Sequence, residues 1–153
     1  MARSRGIQGE YLFNPTYITV KPSSTLVTQI TTWKNAKTTI EGVMYVIRDT
    51  SANDQVTVST TNSYPEMRIE HVDLDSSNTY MLTVLMLGYL NYESVWVPVN
   101  HGIYRMIYSS APSLGQEVKL YTTNCYQMVG ATSGGAGKVV SLDTTNGYAY
   151  VQI

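Results

Sequence analysis

A run of eleven mostly apolar residues, from Tyr80 to Leu90, most constrains what this chain can fold into. The run is too short to cross a membrane, because a transmembrane helix needs about 20 apolar residues. Apolar side chains occupy both sets of alternate positions, and Gly88 interrupts the run near its end. The pattern predicts a central β-strand that is covered on both faces, rather than a helix.

Alternation at period two recurs at short intervals along the first hundred residues. The segment 25–33 is also predicted to be a strand, because it is rich in Thr, Val and Ile, whose branched side chains favour a pleated surface. The spacing of these segments is typical of a β-sandwich. The predicted strands are 17–20, 25–33, 42–49, 55–61, 67–74, 79–87 and 94–99.

Composition supports an all-β fold. The 153 residues include 14 Ser, 19 Thr and 13 Tyr, whereas only 14% are charged. A helical bundle would show the opposite balance. The net charge of −1, without a basic run, argues against a nucleic-acid-binding surface. The single cysteine, Cys125, allows no disulfide within the chain and fits synthesis and folding in a reducing cytoplasm.

The chain divides into three predicted segments. Residues 1–15 form an N-terminal arm, which has no apolar core of the kind found in a secretory signal. Residues 16–100 form a β-sandwich. Residues 101–153 form a C-terminal extension rich in β-hairpins, one of which closes at Asn146-Gly147, or they complete the same domain. The alternative for the whole chain is a single jelly-roll-like sandwich.

The stretch LDSSNTY, residues 74–80, resembles the tyrosine corner of fibronectin type III and related immunoglobulin-like sandwiches. In that family a turn leucine packs inward, and a tyrosine six residues later bonds back to the chain. Leu74 and Tyr80 match this pattern, whereas Ser76 and Asn78 replace the proline and threonine of the family.

Trp33 corresponds in order to the tryptophan on an early strand of the same family. The family has aliphatic residues two and four positions earlier, where this chain has Thr31 and Gln29. The resemblance implies an immunoglobulin-like sandwich over about residues 16–99. It also implies structural roles for Trp33, Leu74 and Tyr80.

No group of residues predicts catalysis or a cofactor site. His71 and His101 lie far apart in sequence, and Cys125 lies in no recognised nucleophile motif. His71, Asp73 and Asp75 alternate along one strand face, and their carboxylates would suit calcium. The simpler interpretation is a solvent-facing strand followed by turn aspartates. We therefore expect no enzyme, no cofactor and no bound metal.

Aromatic side chains with polar ends are the remaining candidates for a functional surface. Such residues are frequent anchors of protein interfaces and of sugar-binding platforms. The N-terminal arm adds two arginines and two aromatic residues, which would order as an extended strap on a neighbour. The predicted interface residues are Arg3, Arg5, Tyr11, Phe13, Tyr89, Tyr92 and Trp96.

In these features the sequence resembles structural proteins of tailed bacteriophage particles, in which small β modules decorate heads or join tail parts. The resemblance implies a non-enzymatic decoration or cement protein of the virion, bound to the major capsid protein or to other virion proteins. It further implies a homo-oligomer, with a trimer favoured, and no nucleic-acid or membrane partner. Two alternatives remain open, a carbohydrate-binding adhesin or fibre-tip module and a ring-forming neck or tail completion protein.

Overall fold

The computed structural model describes residues 17–59, 63–74, 78–121 and 127–153. In this part of the chain, twelve β-strands and one helix confirm the all-β class. The helix is α1, Ser24–Asn35. The strands are β1 Tyr17–Pro22, β2 Tyr45–Arg48, β3 Gln55–Thr57, β4 Met67–Leu74, β5 Tyr80–Met86, β6 Gly88–Leu90, β7 Trp96–Pro98, β8 Ile103–Tyr108, β9 Glu117–Leu120, β10 Gln127–Ala131, β11 Lys138–Asp143 and β12 Tyr148–Gln152.

Strands β1 to β5 form a closed barrel in the order β1-β3-β2-β4-β5. Strand β4 pairs with β5 along its length, and β5 pairs on its other side with β1 from Tyr17 to Val20. Strand β3 closes the barrel by pairing in parallel with β1, through Lys21 and Pro22 only. The first half of β1 therefore has no strand on its β3 side among the described residues.

The segment 25–33 lies in helix α1, so the prediction of a strand there is wrong. Leu26, Ile30 and Trp33 are the buried residues of this helix. Their spacing of four and three residues is the period of a helix with one apolar face. Burial of that face outweighs the β preference of the Thr and Val residues around it, because propensity is a weak determinant beside tertiary packing.

Local hydrogen bonds explain why the helix begins at Ser24 and tolerates so many threonines. The side chain of Ser23 accepts a hydrogen bond from the N–H of Leu26 at 3.2 Å, which is a helix N-cap. Exposed threonine hydroxyls donate to the backbone carbonyls four residues earlier, a bond that Thr can make inside a helix. The threonines that do so are Thr28, Thr31 and Thr32.

Helix α1 closes one end of the barrel. Its buried face shares a core with inward-facing residues of the strands, which include Val20, Val46, Ile69, Leu82 and Val84. Strand β1 leads into the helix, so the start of β1 and the end of β5 lie at the opposite end of the barrel. No helix in the described part of the chain is long and apolar enough to span a membrane.

Leu74 and Tyr80 do not form the predicted tyrosine corner. They lie opposite each other at the end of the β4–β5 pair, and Leu74 is 55% exposed. The hydroxyl of Tyr80 lies 3.3 Å from the hydroxyl of Thr31 on the helix. In a tyrosine corner, that hydroxyl would instead bond to the backbone a few residues upstream. Trp33 is buried, but on a helix. The immunoglobulin-like sandwich is therefore not confirmed, and the described strands of this region form a barrel instead.

The C-terminal strands form a five-stranded sheet in the order β11-β12-β8-β10-β9. The two outer strands approach each other, because Val118 and Ala136 exchange backbone hydrogen bonds of 3.0 and 2.9 Å. The sheet is therefore strongly curled. The predicted C-terminal hairpin is confirmed as β11 and β12, and Gly147 in its turn has a φ of 74°.

A second core lies inside this curled sheet and uses the barrel wall as one side. Tyr45 and Leu85 belong to this second core, whereas their neighbours Val46 and Val84 belong to the barrel core. The predicted boundary near Asn100 lies between the strands of the first hundred residues and β8. That boundary stays a prediction, and the shared wall ties the two parts together.

We expect Ser23→Ala to lower the free energy of unfolding by about 1 kcal/mol, because the N-cap bond of a largely buried side chain is lost. Urea denaturation measures this change. Ser24→Ala is the matched control, because Ser24 is exposed at the start of the same helix and should stay within about 0.5 kcal/mol of the parent. Equal losses of unfolding free energy in the two variants would contradict the role of Ser23 as the N-cap.

Candidate interaction surface

Strands β6 and β7 form a short hairpin that follows β5 after a single residue, Leu87. The loop of the hairpin is ordered by Asn91. The side-chain Oδ1 of Asn91 accepts hydrogen bonds from the N–H groups of Glu93 and Val95 at 2.9 and 3.0 Å. Ser94 adopts a φ of 62°, which the turn requires. The loop therefore has a defined conformation, held by side chain to backbone bonds.

The hairpin exposes a group of apolar side chains. Tyr92 at its tip is 94% exposed, and three neighbours on the same hairpin are also exposed. Single exposed apolar residues are ordinary, but four of them within seven residues of one hairpin make it a candidate interaction site. We call this group the hairpin patch, and it consists of Tyr89, Leu90, Tyr92 and Val95.

Trp96 lies at the root of the hairpin and outside the hairpin patch. Its indole ring packs directly against Gly88, where a Cβ would collide with the ring and would lie 2.7 Å from the carbonyl oxygen of Val97. Its Nε1 is buried and has no hydrogen-bond partner in the part of the chain that the structure describes. The ring therefore fixes the root of the hairpin through packing.

A groove crosses the end of the barrel opposite helix α1. One part, of about 370 Å³, lies between the first half of β1 and the turn that joins β2 to β3. A second part, of about 390 Å³, shares Arg48, Thr50, Met67 and Met86 with the first and reaches Tyr89 and Leu90 of the hairpin patch. The apolar side chains that line the first part are Ile18, Val20, Ala52, Val56, Met67 and Met86.

The rim of this groove carries more acidic than basic groups. Asp49, Asp54 and Glu66 line it together with Arg48. Asp49 accepts hydrogen bonds from the backbone and hydroxyl of Ser51, at 2.9 and 2.6 Å. These bonds, with a further one from a glutamine side chain, lower the pKa of Asp49. The carboxylate of Asp49 therefore stays ionised at neutral pH.

Glu66 occupies a more buried position at the same rim. Burial raises the pKa of the Glu66 carboxyl, although the N–H of Arg48 donates a hydrogen bond to it at 3.1 Å. The backbone carbonyl of Glu66 also accepts a bond of 2.9 Å from the N–H of Leu87, just before the hairpin. A half-buried carboxylate at this place would gain from an added cationic partner.

A second polar group joins the barrel to the curled sheet. The hydroxyl of Tyr45 donates a hydrogen bond of 2.8 Å to the backbone carbonyl of Arg105, and burial raises the pKa of Tyr45. Arg68 forms a 2.6 Å ion pair with Glu70 and lies 5.3 Å from the centre of the Tyr104 ring. These contacts fix the barrel and the curled sheet relative to each other. They therefore stabilise the interaction surface, which both parts support.

The weak candidates for a metal site, His71, Asp73 and Asp75, come together only in part. The Nε2 of His71 lies 3.5 Å from the Oδ2 of Asp73, and both side chains are exposed. Asp75 and Cys125 lie outside the described residues. In the ranges that the structure describes, no three His, Cys, Asp or Glu side chains are placed to hold a metal ion.

Two of the predicted interface residues belong to the hairpin patch, and their role in an interface stays a prediction. Tyr89 and Tyr92 are exposed on the hairpin, whereas the arm residues Arg3, Arg5, Tyr11 and Phe13 lie outside the described residues. Leu90, Val95 and the groove were not identified. The sequence signal for the exposed pair was Asn91, which can form a turn that interrupts the apolar run. No protein-family model, curated protein or solved structure matches the chain.

We expect Gly88→Ala to lower the free energy of unfolding by about 1–3 kcal/mol, because the added Cβ would overlap the ring of Trp96 and force the hairpin to shift. Gly102→Ala is the matched control, since the nearest atom to its new Cβ would be 3.6 Å away. Thermal denaturation of both variants measures the difference. A change confined to Gly102→Ala would contradict the packing of Trp96.

We expect Glu66→Gln to remove part of the pH dependence of stability. The pKa of Glu66 is raised in the folded protein, so its contribution to stability is present below its unfolded pKa and is lost as pH rises through the folded pKa. Urea denaturation of the parent and the variant between about pH 4 and pH 7 tests this. The variant should gain stability relative to the parent as pH rises, whereas Glu93→Gln, at an exposed position, should follow the parent.

Proposed function

We propose that the protein is a non-enzymatic structural module that attaches to other proteins of an assembled particle through the hairpin patch. The observation that carries this proposal is the exposure of four apolar side chains on a hairpin whose loop and root are both fixed. A side chain as exposed as Tyr92 does nothing for the core of its own molecule. Its apolar surface is available to a partner.

The rigidity of the hairpin supports a binding role. Binding orders side chains and loops at a cost in entropy, and a segment that is already ordered loses less. Asn91 holds the loop, and Trp96 holds the root against Gly88. Tyrosine combines a large apolar area with few rotatable bonds, and it is enriched among residues that dominate binding energy. The hairpin therefore presents Tyr89 and Tyr92 at a reduced entropic cost.

The narrower proposal is a decoration or cement protein of a tailed bacteriophage capsid. It would bind the major capsid protein or another virion protein as a homo-oligomer, with a trimer favoured. The support comes from the hydroxyl- and tyrosine-rich sequence, and from the hairpin as an exposed attachment point. An immunoglobulin-like fold stays a proposal; its sandwich-like feature is the curled sheet packed on the barrel wall through Tyr45 and Leu85.

The alternatives draw less support from the surface. Sugar binding usually requires aromatic rings that lie open to the ligand, and Trp96 is packed against Gly88 at the root of the hairpin. Tyr89 and Tyr92 remain exposed, so a glycan array with the purified protein addresses an adhesin role. A ring-forming neck or tail protein would appear as a stable assembly of six or more subunits in light scattering.

We expect the double substitution Tyr92→Ser with Val95→Ser to weaken attachment by at least about tenfold, because two exposed apolar anchors are lost. The measurement is co-sedimentation with particles assembled from the matching major capsid protein, across a concentration series. Leu114→Ser is the matched control, since Leu114 is 67% exposed outside the hairpin and should leave attachment unchanged.

The melting temperature should be the same for the double variant, the control and the parent, because all three substitutions are at exposed positions. If the parent binds such particles and the double variant binds equally well, the hairpin patch is not the attachment surface. If the parent does not bind them at all, the capsid proposal is wrong.

A further inference from the structure

The groove contains a strand edge that no described strand covers. The N–H of Lys21 on β1 donates a 2.9 Å hydrogen bond to the carbonyl of Asp54, on the β3 side. Backbone groups alternate in direction along a strand, so those of Tyr17 and Thr19 face the same side. The pairing with β3 begins only at Lys21. Within the described ranges, the edge from Tyr17 to Thr19 is therefore open to an added strand.

The chemistry around this edge specifies the segment that would fit it. Ile18, Met67 and Met86 give the groove an apolar lining, and Asp54 and Glu66 contribute to its acidic rim. A strand added at an edge gains affinity from backbone hydrogen bonds and specificity from its alternate side chains. The groove therefore fits an extended segment that carries apolar and basic side chains on one face.

Residues 1–16 lie outside the described residues, and their sequence contains such a segment. In an extended chain, the odd-numbered residues share one face. The even positions from Ala2 to Glu10 are small or polar. Between Arg3 and Phe13, every odd position except Gly9 carries a basic or apolar side chain, and Leu12 is the one large apolar residue on the even face; the odd set is Arg3, Arg5, Ile7, Tyr11 and Phe13.

We propose that the groove binds the N-terminal segment of a second copy of this chain as an added β-strand along the edge of β1. Tyr11 and Phe13 of one copy would contact the apolar lining of the other, and Arg3 or Arg5 would pair with its acidic rim. The same copy is a poorer donor, because its segment would have to fold back in a tight hairpin turn just before Tyr17, and Pro15, with its fixed negative φ, does not fit the positive φ that the commonest two-residue turns require. A second copy can approach from either direction.

Exchange of segments in this way would build a homo-oligomer without using the hairpin patch. The inference deepens the homo-oligomer of the proposed function, and it does not depend on attachment through the hairpin patch. Self-association can be measured with the purified protein alone, whereas attachment requires particles. If self-association is not found, attachment through the hairpin patch still stands. If attachment is not found, self-association still stands.

The decisive experiment is cross-linking between two variants of the full chain, both carrying Cys125→Ser. One variant carries Phe13→Cys, and the other carries Thr50→Cys, at an exposed position that lines both parts of the groove. The two variants are mixed at equal concentration and mildly oxidised. We expect a disulfide-linked dimer with one chain of each kind.

The matched control replaces Phe13→Cys with Leu12→Cys, on the opposite face of an extended segment. It should give at least about tenfold less mixed dimer, because its thiol would face away from the groove. Equal yields from both pairs would overturn the proposal. A second outcome would also overturn it. In that outcome, a double variant with Phe13→Cys and Thr50→Cys forms a disulfide within one chain, while the mixture of single variants gives no dimer.

A second measurement uses no cross-link. Light scattering across a dilution series should show that Tyr11→Ser with Phe13→Ser raises the dissociation constant of the oligomer at least about tenfold, whereas Leu12→Ser changes it little. Circular dichroism should show that all three proteins are folded. A parent that is monomeric at every concentration overturns the proposal.

Discussion

The alternation of side chains on β2 and β5 is the constraint on which the rest of the structure depends. Val46 and Val84 point into the barrel, and the adjacent Tyr45 and Leu85 point into the second core. One wall therefore serves two cores. A slip of one residue in either strand would exchange the two sets of side chains, so the register is specified from both sides at once.

The polar groups at this wall are paired as burial requires. The hydroxyl of Tyr45 has the carbonyl of Arg105 as its acceptor, and Arg68 is compensated by Glu70. At the end of the barrel, the side chain of Asn100 donates to the carbonyl of Met86 at 2.5 Å. An unpaired group at any of these positions would cost about 1–3 kcal/mol. The bond from Tyr45 to Arg105 therefore adds a polar connection between the two parts to their apolar packing.

The strands with strong alternation could be predicted from the sequence. Met67–Leu74 is found at its predicted bounds, and Tyr80–Met86 lies within the predicted 79–87. The helix could not be predicted from β propensity, because its threonines bond to their own backbone and its three buried residues follow a helical period. Ser23 before that period was the available signal.

The barrel and the groove could not be predicted in the same way. Closure of the barrel depends on a parallel pair of only two positions, Lys21 with Gln55 and Pro22 with Val56. Strand pairs between residues this far apart produce no periodic pattern in the sequence. The groove combines the ends of several strands with one turn, so no single stretch of sequence contains it. The exposure of Tyr89 and Tyr92 could be predicted because both lie close to a turn residue. The packing of Trp96 could not, because it depends on the pairing of β6 with β7.

The short connection between β5 and the hairpin has a mechanical consequence. Only Leu87 separates them, and Leu87 is fully buried. A pull on an attached hairpin would therefore pass straight into β5, which is bonded to β1 on one side and to β4 on the other. Tension along the axis of a strand loads all of its ladder bonds in shear, so they resist together instead of opening one by one. The molecule would thus meet a load at its most densely bonded strand.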